Sequence, residues 1–212
     1  MRVSLLLPLF AVTAFAKPLE GAPASGATAA DFAPKGWVVE SSLAGDLNGD
    51  KSPDLVVLLL QEGDGDRSRA LLWLHGAAKG FTLVDSNVGL VACFSCLGMK
   101  GGDGKPELEI KKKVLIVTQW GGSRESYGAT HRFRLEKGVV RLIGVDHSDM
   151  DTMTGEQNTR SENLLTGVTV VEKTPAQVDD NGKETNAKAK KTTTKKKPAP
   201  LPAFNEVKEY GE

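Results

Sequence analysis

The chain carries short apolar or alternating runs, separated by Gly and Asp clusters, from Trp37 to about residue 173. This spacing is typical of antiparallel strands joined by turns. It predicts strands at residues 37–43, 55–61, 70–75, 81–85, 108–112, 114–120, 130–136, 139–146 and 168–171. No window of about twelve residues has the period of an amphipathic helix. We therefore expect a mainly β domain of antiparallel sheets, arranged like a sandwich or like propeller blades.

Individual runs add detail to this prediction. Residues 71–74 are apolar throughout, which predicts a central strand, whereas residues 132–135 alternate and predict one wet and one dry face. Glu136, Lys137 and Gly138 end one strand directly before the next begins. Because Gly readily adopts a positive φ, this junction predicts a tight hairpin.

The two ends of the chain differ from this middle part. Residues 1–16 have a positive start, an apolar core and a small-x-small end, which predicts a secretory signal peptide. Residues 17–34 are rich in Ala, Gly, Ser and Pro and predict a flexible lead. The β-rich domain is expected at residues 35–173, and residues 174–212 are expected to form a disordered Lys/Pro-rich tail.

Charge and hydropathy limit the functional classes. Lys plus Arg and Asp plus Glu both total 27, so the net charge does not indicate a nucleic-acid-binding or membrane-surface protein. After residue 16 the longest apolar run spans residues 55–60, far short of the roughly 20 residues that a membrane helix needs. The basic stretch at residues 186–198 is either a solubilising linker or an arm that binds a polyanion.

The stretch from Asp46 to Asp54 is the strongest chemical motif. It places oxygen donors at alternating positions, with Ser52 contributing its backbone carbonyl; the donors are Asp46, Asn48, Asp50, Ser52 and Asp54. A hard cation such as Ca²⁺ takes six or more oxygen ligands in a flexible cage. The loop is not an EF-hand, because Val57 stands where that motif has its bidentate Glu. The sequence therefore predicts a Ca²⁺ site, and the shorter acidic loop at residues 62–66 is a second, poorer candidate.

The pattern Asp-x-Asn-Gly-Asp-x-x-x-Asp before an apolar strand resembles the calcium loop of FG-GAP/VCBS-type repeats. The order of landmarks in the second half is similar to a family of exported bacterial proteins, many of which carry a single repeat of this kind. Those landmarks are residues 93–98, 121–123, 131–134, 142–144 and 163–167. The resemblance implies a β-rich exported protein with a bound Ca²⁺, and it implies no activity.

Cys93 and Cys96 are the two cysteines of the chain. In an oxidising compartment the pair predicts a local disulfide that pins a Gly-rich loop. A redox dithiol is an alternative, although the Gly-rich residues after Cys96 do not favour a helix there. A zinc site is a further alternative, and it would need two more ligands from His75, His131 and His147.

A hydrolase would need a nucleophile, a base and an orienting acid brought together in space. Ser123 after two glycines and His147 among acidic residues are the candidates, but Ser123 lacks the Gly-x-Ser-x-Gly context. Trp120 and Tyr127 flank a Gly-Gly turn and could stack on sugar rings or on a peptide, whereas Trp73 is expected in the core.

Together these patterns predict an exported protein, periplasmic or extracellular, with one Ca²⁺ site and one disulfide. The predicted role is non-catalytic: binding of a protein or glycan ligand, or a structural role in the cell envelope. The alternatives are a secreted hydrolase that acts on envelope polymers, and a polyanion-binding protein that acts through its basic tail.

Overall fold

The computed structural model describes residues 19–178, 183–185 and 188–209, which form two antiparallel sheets packed as a sandwich. The smaller sheet has the order β1-β5-β4-β3-β2. Its strands are β1 (Ser25–Gly26), β2 (Trp37–Gly45), β3 (Asp54–Gln61), β4 (Arg69–Ala77) and β5 (Gly80–Asn87). A 3₁₀ helix at Ala29–Phe32 lies between β1 and β2.

The larger sheet has the order β12-β11-β10-β9-β8-β7-β6. Its strands are β6 (Glu107–Lys111), β7 (Val114–Gly122), β8 (Glu125–Glu136), β9 (Val139–Asp151), β10 (Gln157–Asn163), β11 (Val168–Thr174) and β12 (Lys190–Lys195). The one-turn helix α1 (Gly98–Gly101) precedes β6, and a second 3₁₀ helix lies at Phe204–Glu206. The predicted fold class is confirmed, and each predicted strand is observed, most of them a few residues longer than predicted.

The apolar runs of β3 and β4 are continuous because both faces of these strands are buried. Val56 and Leu58 point, with Leu71 and Trp73 of β4, into a core shared with the larger sheet. Alternate residues of the same strands point to the outer face, where a second core forms. Its buried members are Leu19, Phe32, Val57, Leu59, Ala70, Leu72 and Leu74.

The prediction of a flexible lead at residues 17–34 does not hold for residues 19–34. Leu19 and Phe32 are buried in the outer core, and β1 pairs with β5. The Asp31 carboxylate accepts hydrogen bonds from the N–H groups of Ala27 and Thr28, both at 2.8 Å. This segment is ordered because the outer face of β3 and β4 is apolar and needs a cover. The predicted signal peptide, residues 1–16, lies outside the described residues.

The long hairpin of β8 and β9 closes through Lys137 and Gly138, as predicted. Both residues have positive φ, 52° and 82°, which suits a two-residue turn whose twist matches that of the strands. The register then shifts by one residue, because Phe133 pairs with Leu142 whereas Arg132 pairs with Gly144. This bulge determines which side chains of β8 and β9 share a face.

The C-terminal residues also differ from the prediction, because residues 188–209 are ordered rather than part of a disordered tail. The Lys-rich β12 pairs with β11 along its whole length and forms an exposed sheet edge. Lysines on an edge strand discourage pairing with other chains. Beyond β12 the chain crosses to the shared core, where Phe204 is fully buried.

Phe204 joins the two sheets. Its ring packs edge-on against Trp73 of the smaller sheet, with centroids 6.4 Å apart, and against Phe133 of the larger sheet at 5.0 Å. The side-chain amide of buried Asn87 donates hydrogen bonds to the carbonyls of Phe204 at 2.5 Å and of Val207 at 2.8 Å. The C-terminal segment is therefore part of the folded domain. Within the described residues, no helix has the length and apolar character required to cross a membrane.

We expect the substitution Phe204→Ala to lower the free energy of unfolding by about 3–5 kcal/mol, because it leaves a cavity between the sheets. Thr193→Ala on the exposed β12 is the matched control and should change stability by less than about 0.5 kcal/mol. Urea denaturation of both variants checks this. Equal stabilities would contradict the placement of the C-terminal segment in the core.

Candidate functional site

The predicted calcium loop joins β2 to β3, and Asp54 at its end is fully buried. One carboxylate oxygen of Asp54 accepts hydrogen bonds from the backbone N–H groups of Leu47 at 2.9 Å and Asn48 at 3.1 Å. The other oxygen accepts one from Gly76 at 2.9 Å. Asp54 therefore fastens the start of the loop to the end of β4.

The other side-chain oxygens of the loop bind backbone N–H groups further along it. Asp46 accepts from Gly49 at 2.5 Å, Asn48 from Asp50 at 2.8 Å, and Asp50 from Ser52 at 2.7 Å. These are the local turns that Asp and Asn side chains favour. The hydrogen bonds from the Ser52 N–H and the Asn48 side chain lower the pKa of Asp50 below its ordinary value.

A lysine ammonium lies beside this loop. Lys112 and Lys113 form the turn between β6 and β7 with positive φ, 51° and 65°. A Cβ atom on Gly49 would collide with the Nζ atom of Lys113, so the ammonium lies directly over the glycine. The acidic loop therefore has a positive charge of the chain itself next to it.

Among the described residues, two groups of three His, Cys, Asp or Glu side chains have ligand atoms within 4.8 Å of one another. The carboxylates of Asp46, Asp50 and Asp54 are not one of these groups. The first group is Asp66 with Cys93 and Cys96, and the second is His131 with His147 and Glu209.

Cys93 and Cys96 form a disulfide, with Cα atoms 5.3 Å apart, in the loop that leads from β5 to α1. Because both sulfurs are engaged, this group does not offer thiolate ligands. A buried guanidinium holds the loop in place: Arg69 makes two 2.7 Å bonds to the Glu40 carboxylate. It also donates to the carbonyls of Ala92 at 3.3 Å and Asp103 at 2.8 Å. The pinned loop that the sequence predicted is thus fastened to β2 and β4.

The second group draws on three parts of the chain. His131 lies on β8, His147 on β9 and Glu209 on the C-terminal segment. The Nε2 atom of His131 is 3.2 Å from one oxygen of Glu209, and the Nε2 atom of His147 is 3.3 Å from the other. Hydrogen bonding to His131 lowers the pKa of Glu209, with burial acting in the opposite direction. His131 is buried, whereas the side chain of His147 is 42% exposed.

This group opens into a cleft on the inner face of the larger sheet, with a volume of about 440 Å³. Polar and aromatic side chains from β8, β9 and β10 line it together with the C-terminal segment. They include Tyr127, His147, Asp149, Asn158, Arg160 and Glu209. The cleft has the concave shape that ligand sites have, and its lining is mainly polar, with apolar surface from Tyr127, Ala129 and Val171.

The aromatic residues follow the sequence predictions in part. Trp73 is fully buried in the core, as expected. Trp120 and Tyr127 are 53% and 42% exposed. The Trp120 ring covers Gly128, its partner on β8, and the Tyr127 ring covers Gly121, its partner on β7. A Cβ atom on either glycine would collide with the ring that covers it. The Tyr127 ring lines the cleft, whereas Trp120 lies on the opposite face of the sheet, beside Thr130 and Ser148.

The hydrolase residues are not brought together. Ser123 lies in the turn before β8, whereas His147 pairs with Ala129 further along that strand. Asp146 pairs instead with Arg132 at 2.6 Å, so the acid nearest to His147 in sequence is engaged elsewhere. The carboxylate that does approach His147 is Glu209. The sequence prediction missed it because residues 174–212 were expected to be disordered.

Comparison with known proteins gives no relative. No protein-family model, no curated protein and no solved structure matches this chain. The resemblance of the acidic loop to FG-GAP/VCBS-type calcium loops therefore rests on its residues alone.

The contacts of Asp54 predict a structural role that does not depend on metal. We expect Asp54→Ala to lower the free energy of unfolding in EDTA by about 3 kcal/mol or more, because three N–H groups lose their acceptor. Asp50 is exposed and holds only local bonds, so Asp50→Ala in EDTA should cost less than about 1 kcal/mol. Urea denaturation in EDTA measures both, and similar losses for the two variants would contradict this role.

Proposed function

We propose that this protein is an exported, calcium-stabilised β-sandwich that binds a ligand or an envelope partner and does not catalyse a reaction. The observation that carries the proposal is the loop between β2 and β3, in which oxygen donors alternate along the chain and Asp46, Asn48 and Asp50 form successive local turns. A cation held there stabilises the hairpin that starts the smaller sheet.

The proposed ligands are the side chains of Asp46, Asn48, Asp50 and Asp54 and the carbonyl of Ser52. Asp54 can serve although it accepts three hydrogen bonds, because an ionised carboxylate offers about four lone-pair sites. Asp50 is exposed and Asp46 is half-buried, and both hold only hydrogen bonds within the turn. A loop of this type suits the weak affinity of extracellular modules, with Kd of about 10⁻⁴–10⁻³ M.

Export is supported by the signal-peptide pattern of residues 1–16 and by the disulfide between Cys93 and Cys96. Disulfides persist mainly in oxidising compartments such as the periplasm and the extracellular space. The periplasm or the extracellular space is therefore the proposed location.

A binding role is favoured by the cleft and by the partly exposed ring of Tyr127 that lines it. Tyr127 presents a flat apolar surface, while Asn158 and Arg160 offer hydrogen-bond donors in the same cleft. Trp120 presents a second aromatic surface on the opposite face of the sheet. Aromatic rings with nearby polar groups are suited to sugar rings or to an extended peptide. A glycan or protein of the envelope is the proposed class of ligand.

We expect Ca²⁺ to raise the melting temperature of the mature protein relative to EDTA, and Mg²⁺ to act more weakly because it dehydrates reluctantly. At a hundredfold excess over Kd the gain in unfolding free energy is about 2.7 kcal/mol. Asp50→Ala should abolish the gain. Asp149→Ala, which removes an exposed carboxylate on β9 outside both acidic loops, is the matched control and should keep it. If wild-type protein melts alike in Ca²⁺ and EDTA, the loop is a turn without a metal.

A further inference from the structure

The contacts between the two histidines and Glu209 are longer than charge-assisted hydrogen bonds usually are. Charge-assisted hydrogen bonds between an imidazolium and a carboxylate are about 2.7–2.9 Å long. The two imidazole nitrogens here lie 3.2 Å and 3.3 Å from the Glu209 oxygens. Both rings direct Nε2 at one carboxylate, and the ring planes stand at 90° to each other.

The same distances match those between ligands that surround a metal ion. Zinc binds imidazole nitrogen at about 2.0–2.1 Å and carboxylate oxygen at about 2.0–2.2 Å. In a tetrahedral site, neighbouring ligand atoms are then about 3.3–3.5 Å apart. A single oxygen of Glu209, Oε2, lies 3.2 Å from the Nε2 atom of His131 and 3.4 Å from that of His147, so it is at ligand spacing from both nitrogens.

We propose that His131, His147 and Glu209 form a binding site for a late first-row divalent metal, with Zn²⁺ as the favoured ion. Two imidazoles and one carboxylate are ligands that zinc accepts, and three protein ligands leave a fourth position for water or a bound ligand. That position faces the cleft, because His147 and Glu209 line it and His131 lies deeper.

The surroundings of each ligand hold it in place. His131 is buried and stacks on Phe133, with centroids 6.2 Å apart. The N–H of Glu209 donates to the carbonyl of Gly89 at 2.9 Å, close to the Asn87 amide that fastens the C-terminal segment. The bound metal would tie the C-terminal segment to the larger sheet.

The test is isothermal titration of the mature protein with ZnCl₂, without a polyhistidine tag and with millimolar Ca²⁺ in all solutions. We expect one Zn²⁺ per chain. His147→Ala and Glu209→Gln each remove a ligand and should weaken binding at least about a hundredfold. Asp149→Asn removes a carboxylate of the same cleft that is outside the group, and it should change affinity less than about threefold.

Two further measurements keep the outcomes distinct. Circular dichroism establishes that the variants are folded, and Glu209→Gln keeps the shape of the side chain so that the fold is least disturbed. Asp50→Ala in the acidic loop should bind Zn²⁺ as wild type does, whatever its response to Ca²⁺, so failure of the calcium proposal leaves this one intact. Absence of saturable Zn²⁺ binding, or wild-type affinity in His147→Ala and Glu209→Gln, would overturn the site.

Discussion

The attachment of the C-terminal segment to Asn87 is the interaction on which the assembled structure depends. The Asn87 amide binds the carbonyls of Phe204 and Val207, and this places the Phe204 ring between Trp73 and Phe133. A buried amide without its partners would cost about 1–3 kcal/mol, so the contact specifies one path for the segment. The same path carries Glu209 to the two histidines. The core between the sheets and the candidate metal group thus share one support.

The sequence predicts the strands well because their periodicity is local. The hydrophobic runs at β3 and β4 also indicate that a second segment must cover these strands, which the prediction of a flexible lead overlooked. A strand that is apolar on both faces needs a cover on each. The larger sheet covers one face, so residues 19–34 with Phe32 had to cover the other. The continuous apolar residues of β3 and β4 indicated that an ordered segment covers their outer face. The Ala-, Gly-, Ser- and Pro-rich composition of the lead pointed instead to flexibility.

The C-terminal segment could not be predicted in the same way. Its lysines, threonines and prolines give no hydrophobic period, and β12 is stabilised by pairing with β11 rather than by burial. Of its described residues only Ala203, Phe204 and Val207 become buried, and three apolar residues in a polar stretch do not identify their partners. The order of this part comes from tertiary contacts, which override local composition.

The candidate sites also divide into a local motif that the sequence reveals and a tertiary arrangement that it does not. The acidic loop is visible in the sequence because its donors are consecutive, although the sequence does not reveal that Asp54 binds three backbone N–H groups. The placement of His131 and His147 on the same face of the sheet depends on the bulge in the β8–β9 hairpin. Without it His131 would pair with Gly144, and His147 would point to the opposite face; with it His131 pairs with Val145 and both imidazoles face the cleft. The residue pattern of these strands does not predict the one-residue bulge.

The donor chemistry of the two sites keeps the proposed metals apart. The loop between β2 and β3 offers only oxygen ligands, which suits a large, hard cation with many ligands. The group on the larger sheet offers two imidazole nitrogens from strands and one carboxylate from the C-terminal segment, which suits a small ion with few ligands. Calcium gains little from imidazole, whereas imidazole favours zinc. A chain with both sites can therefore use one metal to stabilise a hairpin and the other to tie the C-terminal segment to the larger sheet.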